Sequence, residues 1–332
     1  MTALIDRPAP APSPRHRQPT SAVKPNRPGK RSRLVIAYGV LTAATILLHG
    51  SIPNRPGNLG SLVETLLPWS ILAVPVLLVF AIARRSVAIL LVMVMPLSAW
   101  LATFGATFAD KQQSGTADLT VVSHNVSAVN SNHAGTATAL AASGADLIAL
   151  EELSRKAIRV YERVLEPSYR YHVVEGTVGL WSKYPIADSR SVDIYEPDRA
   201  LRTTVETPRG PVAVFVAHLS SVRVKPAIGF MTNRRNYAAK LLGEAIRTDR
   251  VRRTILAGDF NGTTLDRALT PLTDRLVSVQ DEAGQGFGLT WPAILPIARI
   301  DNILVRNVKP LRSWTLPATT SDHLPIATTL AL

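Results

Sequence analysis

Eight polar residues recur at the ends of short apolar runs. They are Asn125 in SHNV, Glu152 in ALEEL, His218 in VAHLSS, Asp259 and Asn261 in GDFN, Asp301 in RIDN, and Asp322 and His323 in SDHLP. Taken singly, an acid closing a strand is most often a turn or cap residue, and a lone histidine there is most often structural. The set carries more weight, because side chains at the ends of neighbouring strands can converge on one rim. The chain has no cysteine, which excludes thiolate zinc sites, disulfides and cysteine nucleophiles. What remains is chemistry built on carboxylate, amide and imidazole groups.

Strands and helices must hold these residues. The β-branched runs LTVVSHNV, DLIALEEL, VGLWSK, PVAVFVAHL, RTILAGDF and RIDNILVR predict strands. Ala-rich or mixed-charge runs at 134–143, 154–165 and 232–248 predict helices. Around 179–219 several strands follow one another with no helix between them. That disfavours an all-parallel doubly wound sheet and favours an α/β core of two sheets with helices outside.

The series Asn125, Glu152, GLWSKYP (179–185), His218, GDFN (258–261), Asp301 and SDH (321–323) resembles the endonuclease/exonuclease/phosphatase superfamily over about 118–332. That DNase I-like superfamily includes nucleases, inositol phosphatases and neutral sphingomyelinases. The resemblance implies a four-layer α/β/β/α sandwich and a metal-dependent phosphoester hydrolase. A phosphate ester repels nucleophiles, so its charge must be neutralised and a water oriented. Hard oxygen ligands suit Mg²⁺ or Mn²⁺. By motif position, the resemblance implies Glu152 as the principal metal carboxylate, with Asn125 and Asp322 as further ligands. Asp259 would orient and deprotonate the water, and Asn261 would hold the water or a phosphoryl oxygen. His323 would hydrogen-bond the phosphoryl group with its tautomer fixed by Asp301, while His218 would donate to another phosphoryl oxygen. Two departures stand out: Glu151 where many relatives have Gln, and Asn302 where His or Tyr often follows the Asp. His124 reads as structural and His172 as an edge or loop residue.

The N-terminal third has a different texture. Residues 1–33 hold eight Lys or Arg against Asp6 alone, so +7 of the net +13 lies there. This Pro- and Ser-rich stretch reads as a disordered basic arm. Apolar stretches follow at about 34–48, 66–83 and 87–109 within a transmembrane region of residues 34–110. The second and third are long enough for a hydrocarbon core of ~30 Å at ~1.5 Å per residue. The positive-inside rule keeps the arm and Arg84-Arg85 inside. Three crossings then put the catalytic domain, about 115–332, outside the cytoplasm; if the short first stretch does not cross, that domain lies inside.

From residue 112 onward the charge is only +4, a small surplus for a nucleic-acid enzyme, which neutralises several phosphates. Arg234-Arg235 and Arg250-Arg252-Arg253 could form a basic patch or belong to solvated helix faces. Three spans suit a substrate confined to the membrane plane, and GQGFGLTWPAILPIAR (284–299), just before Asp301, could contact an isoprenoid or acyl chain. The whole arrangement resembles the VanJ-type membrane proteins of actinomycetes associated with teicoplanin (glycopeptide) resistance. That resemblance implies a lipid-linked phosphate substrate such as undecaprenyl diphosphate. The alternatives are a membrane-tethered nuclease and a catalytically silent sensor or scaffold.

Overall fold

The computed structural model describes residues 30–332. The basic arm up to residue 29 lies outside the described residues, and its last four residues, 30–33, begin the first helix. Four helices come first: α1 (Lys30–Leu48), α2 (Leu59–Leu66), α3 (Ala73–Arg84) and α4 (Val87–Phe104). A 3-10 segment, Leu67–Leu72, joins α2 to α3. Three helical stretches are long and apolar enough to cross a membrane: Lys30–Ser51, Leu59–Arg84 and Val87–Phe108. Arg84 and Arg85 lie at the turn between the second and third. Arg85 adopts a left-handed conformation that ends α3, and the Ser86 hydroxyl accepts a hydrogen bond from Ile89 N to cap α4.

Two six-stranded sheets follow. One runs in the order β13 (Lys309–Thr315), β14 (Ile326–Ala331), β1 (Leu119–Asn125), β2 (Leu147–Glu151), β4 (Val178–Ser182), β3 (Tyr171–Glu175). The other runs β11 (Val277–Ser278), β12 (Asp301–Arg306), β10 (Thr254–Asp259), β7 (Gly210–His218), β6 (Ala200–Thr207), β5 (Ile186–Ser191). A short ribbon, β8 (Arg223–Lys225) and β9 (Gly229–Met231), stands apart.

The period of two along each strand builds the layers. Val212, Val214 and Val216 of β7 face the other sheet and pack with Val121, Leu147, Leu180, Ile255 and Ile303. Fully burying one such side chain stabilises the fold by about 1.5–3 kcal/mol. The alternate residues Ala213, Phe215 and Ala217 face outward against α7 (Asn233–Thr248) and α8 (Thr270–Thr273). On the first sheet, Val122, Ile148 and Trp181 meet α5 (His133–Ala142) and α6 (Arg155–Leu165) in the same way. The result is helix, sheet, sheet, helix: the four-layer sandwich the motifs implied. A last short helix, α9 (Val279–Ala283), follows β11. The β3, β5, β6, β8, β9, β11, β13 and β14 strands were not among the sequence-predicted runs. His172 lies on edge strand β3, stacked on Trp181.

The apolar helices dock on this sandwich through an arginine. Arg267 donates from Nε to Glu64 Oε1 at 2.8 Å and from Nη1 to the carbonyls of Gly50 and Ile52 at 2.9 Å. Its backbone N also donates to Glu64 Oε2 at 3.0 Å. The carbonyls past the end of α1 have no partner within that helix, so a guanidinium suits them. A second seam is aromatic: Phe287 packs against Trp100, Phe104 and Phe108, with ring centroids 6.2, 5.5 and 5.3 Å away.

Candidate active site

Parallel strand pairing carries the polar residues to one rim. β1 pairs with β2 in parallel, Asn125 opposite Glu151. β7 pairs with β10 in parallel, His218 opposite Asp259, and β12 returns antiparallel with Asp301 opposite Asp259. Each parallel pair needs a helical crossover, α5 and α7, and both crossovers leave the strands' C-terminal ends at the same edge. Glu152 then turns the chain in a left-handed conformation, φ 57°, and Asn261 does the same at φ 48°. Asn tolerates that region far better than Glu does, so the strain lies at Glu152.

The side chains meet across the two sheets. Asn125 Nδ2 donates to Asp259 Oδ2 at 2.9 Å and to Glu152 Oε1 at 3.2 Å. Asp259 Oδ1 accepts from Asn261 N at 2.8 Å, and Asn261 Nδ2 donates to Leu219 O at 2.9 Å. Glu152 Oε2 accepts from Ala128 N at 3.1 Å. His218 Nε2 lies 3.6 Å from Glu152 and 3.8 Å from Asp259, and neither ring nitrogen has a hydrogen-bond partner among the described residues. His323 Nδ1 lies 2.9 Å from Asp301 Oδ2, and its Nε2 lies 3.9 Å from Asp259 Oδ2. Seven of the eight residues are thus joined. Asp322 is exposed and accepts from Trp291 Nε1 at 3.4 Å; no hydrogen bond or ion pair joins it to the others among the described residues.

Burial sets the protonation states. It pushes the Asp259 carboxyl up to about 7, and the nearby Asp301 charge adds to the rise. Burial opposes a charge on His323, yet the Asp301 carboxylate outweighs it and lifts the imidazole to about 9. His218 is driven the other way, down to about 4, by burial and then by Arg199. Glu152 is half-exposed by comparison: burial raises it, but the Ala128 amide, His218 and Asn125 together hold it below the usual range.

One participant was noted in the sequence only as a departure. Glu151 is fully buried, Ser123 Oγ donates to its Oε1 at 3.1 Å, and its Oε2 has no partner. Burial, then the charges of Asp301 and Asp259, push its carboxyl well above the usual range. Such a shift favours the protonated carboxyl, which has nearly the shape and hydrogen-bonding pattern of the Gln that the family resemblance implies at this position. Arg235 is the other. It is buried, contrary to a solvated helix face, and pairs with Asp266 at 2.6 Å while donating to the carbonyl of Asn261 at 3.2 Å. Nothing local in the sequence marks that burial.

Glu152, Asp259, Asp301 and the buried carboxyl of Glu151 gather around two imidazoles, so acids outnumber bases at this rim. A divalent cation fits that acid-rich group, and Glu152, the least buried of these carboxyls, offers hard oxygens beside the buried Asn125. Asp259, Asp301 and His323 also bring ligand atoms within 4.8 Å of one another. His323 Nδ1 is already committed to Asp301, so that trio is better built for proton handling than for ligation.

Solved structures share the fold. D. rerio TDP2 complexed with single strand DNA product is 21% identical, with 64% of this chain and 99% of that chain covered at a TM-score of 0.55. The mannosyl-6-phosphatase Bt3783 of Bacteroides thetaiotaomicron is 18% identical over 64% of this chain and 100% of that one, TM-score 0.54. An endonuclease/exonuclease/phosphatase from Bacteroides vulgatus is 17% identical over 65% and 100%, TM-score 0.55. No curated protein matches the chain. The strand-end residues, the two-sheet sandwich and a family match across residues 122–323 agree, and the chain belongs to the endonuclease/exonuclease/phosphatase family.

Proposed function

We propose that this protein is a metal-dependent phosphoester hydrolase held in the cell membrane, acting outside the cytoplasm on a lipid-linked phosphate or diphosphate. The observation that carries the lipid reading is the loop of residues 291–297. On one side Ala293 N donates to Asp322 O at 2.7 Å and Leu324 N donates to Thr290 O at 2.9 Å, either side of His323. On the other side Trp69 Nε1, near the start of the second apolar stretch, donates to Ile297 O at 2.8 Å. Between these anchors Ile294 and Leu295 are 96% and 71% exposed. An exposed apolar tip joined to both the site and a membrane helix supports a mouth that opens at the lipid surface.

In this reading Glu152, with Asn125 and Asp322 as further ligands, would hold a divalent cation, which would supply neutralisation of the phosphate charge. Asp259, ionised, accepts the proton of the attacking water, and the Asn261 side chain holds that water in line. His323, protonated and steadied by Asp301, donates from Nε2 to a phosphoryl oxygen. His218, neutral and without a partner, can donate to another. Transfer goes directly to water, with no covalent enzyme intermediate. The resemblance to VanJ-type proteins extends the reading to undecaprenyl diphosphate or a related cell-wall intermediate, and to a contribution to glycopeptide resistance.

A basic cavity favours a second reading, a tethered nuclease. It measures about 890 Å³ and is lined by Arg55, Arg199, Arg223, Lys225 and Arg234 with Glu196 as the sole acid, and Ser220, two residues after His218 in the chain, also lines it. TDP2, which shares the fold, was solved with a DNA product. The test is phosphate release by the full-length protein in detergent, with Mg²⁺ or EDTA, from a polyprenyl diphosphate against plasmid and single-stranded DNA. Lipid turnover abolished by EDTA supports the first reading; DNA cleavage without lipid turnover replaces it with the second.

A further inference from the structure

Glu64 is the only acid between residues 34 and 109. It lies on α2, near the start of the apolar stretch Leu59–Arg84, and is 2% exposed. A carboxylate buried there is costly unless it is paired, and apolar side chains alone would dock a helix on the sandwich at lower cost. Its two oxygens grip one residue by both side chain and main chain. Arg267 Nε donates to Oε1 at 2.8 Å, and Arg267 N donates to Oε2 at 3.0 Å. The rest of that guanidinium donates to the carbonyls of His49, Gly50 and Ile52 at 2.6, 2.9 and 2.9 Å.

Asp266, the residue before, is buried and faces the other way. Its Oδ1 accepts from Ala268 N at 2.9 Å, capping the 3-10 turn Arg267–Leu269, and its Oδ2 accepts from Arg235 Nη2 at 2.6 Å. Arg235 Nη1 donates in turn to the Asn261 carbonyl at 3.2 Å. Gly262 makes room for that guanidinium, because a Cβ there would collide with Arg235 Nη1. Asn261 holds its left-handed turn with its N donating to Asp259 Oδ1 at 2.8 Å and its side chain donating to the Leu219 carbonyl at 2.9 Å. A continuous series of contacts, two of them charge-assisted pairs, thus runs from an apolar helix to the catalytic turn. We propose that Glu64 is a positioning residue: through Arg267, Asp266 and Arg235 it sets the Asn261 turn, so that the site is fully formed only with the apolar helices docked. The expected effect on turnover rests on the hydrolase reading, whereas the effect on the turn rests on the contacts alone.

The test uses the full-length protein in detergent with Mg²⁺ and bis-p-nitrophenyl phosphate, a water-soluble phosphodiester. Glu64→Gln keeps the side-chain shape but removes the charge and leaves one acceptor oxygen in place of two. A misplacement of ~1 Å can cost ~100-fold in rate, and this variant should lose about tenfold in kcat with KM nearly unchanged. Arg235→Met with Asp266→Leu cuts the path to Asn261, so in that background Glu64→Gln should lower kcat no further. Native-state amide exchange reads the turn without any turnover. Glu64→Gln should speed exchange across residues 259–263 about tenfold while β1 and β7 keep their wild-type protection. Wild-type exchange at 259–263 overturns the positioning role, as does faster exchange throughout the sandwich or an equal kcat loss in the cut background. A wild-type protein without turnover would sink the hydrolase reading, and the exchange result would still decide the role of Glu64.

Discussion

At the scale of single residues, both ends of the proton chemistry titrate above their ordinary values, for different reasons. In the proposed mechanism Asp259 must be ionised to accept a proton, and burial holds it near 7; His323 must be protonated to donate, and Asp301 holds it near 9. Phosphate release should therefore rise as pH passes upward through about 7 and fall through about 9. A profile flat across both limbs would remove these assignments. Glu152→Ala, Asp259→Ala and His323→Ala should each lower turnover at least ~100-fold while the protein still folds and inserts. Glu151 gives a stability prediction of definite sign. Its folded-state carboxyl titrates well above the ordinary 4.5, so the unfolded chain ionises first and wild type loses stability as pH rises through that value. Glu151→Gln removes this loss. Its Tm advantage over wild type should be small in acid and grow above about pH 4.5.

Elements explain why those residues stand where they do. Gly258 pairs with Ala217 across β10 and β7 at φ 148°, and a Cβ there would collide with the Ala217 carbonyl. The glycine of GDFN thus lets two strands approach closely enough to set Asp259 beside His218. Behind the next residues, the Arg235–Asp266 pair is fully buried and reaches Asn261 through its carbonyl. Asp266→Ala leaves an unpaired buried guanidinium and should cost about 3–5 kcal/mol, read by denaturation. Arg235→Met with Asp266→Leu should recover much of that, because carbon of similar volume needs no partner. On the exposed apolar loop, Ile294→Asp with Leu295→Asp should reduce turnover of a bilayer-embedded substrate by about tenfold or more and spare a water-soluble phosphoester. Equal loss on both substrates would mean that the loop serves folding and not lipid contact.

The scale of the whole molecule decides what the charge means. Arg250, Arg252 and Arg253 precede β10, whereas Asp259 ends it; about 3.3 Å per residue puts that cluster roughly 20 Å from the site. They form no part of a substrate track. The basic residues that do line a cavity are dispersed in sequence, from Arg55 to Arg234, and only the fold assembles them. The proposed orientation rests on the distribution of arginines outside the sandwich. A phosphatase-type reporter fused after Gln113 should be active, in line with three crossings from an inside start. Activity of a cytoplasmic reporter at that point, with a silent phosphatase fusion, would invert the proposed orientation.

Several features were legible from the sequence because they depend on local pattern. Period-two apolar runs ending in polar residues marked the central strands, and motif order marked the family, since strand-end chemistry leaves each catalytic residue beside a recognisable stretch. Continuous apolar length marked the helices that could span a membrane. Other features depend on residues distant in the chain and left no local trace. β14 closes the first sheet between β1 and β13 although it is the last strand in sequence. Arg235 reads as one more helical arginine until Asp266 and Asn261 enclose it. The clamp of Arg267 on Glu64 spans 203 positions, and neither residue alone predicts the other. Periodicity and motif report what each segment must do with its own neighbours. Burial, charge compensation and the meeting of the apolar helices with the active-site rim arise only when segments pack, and those the tertiary structure decided.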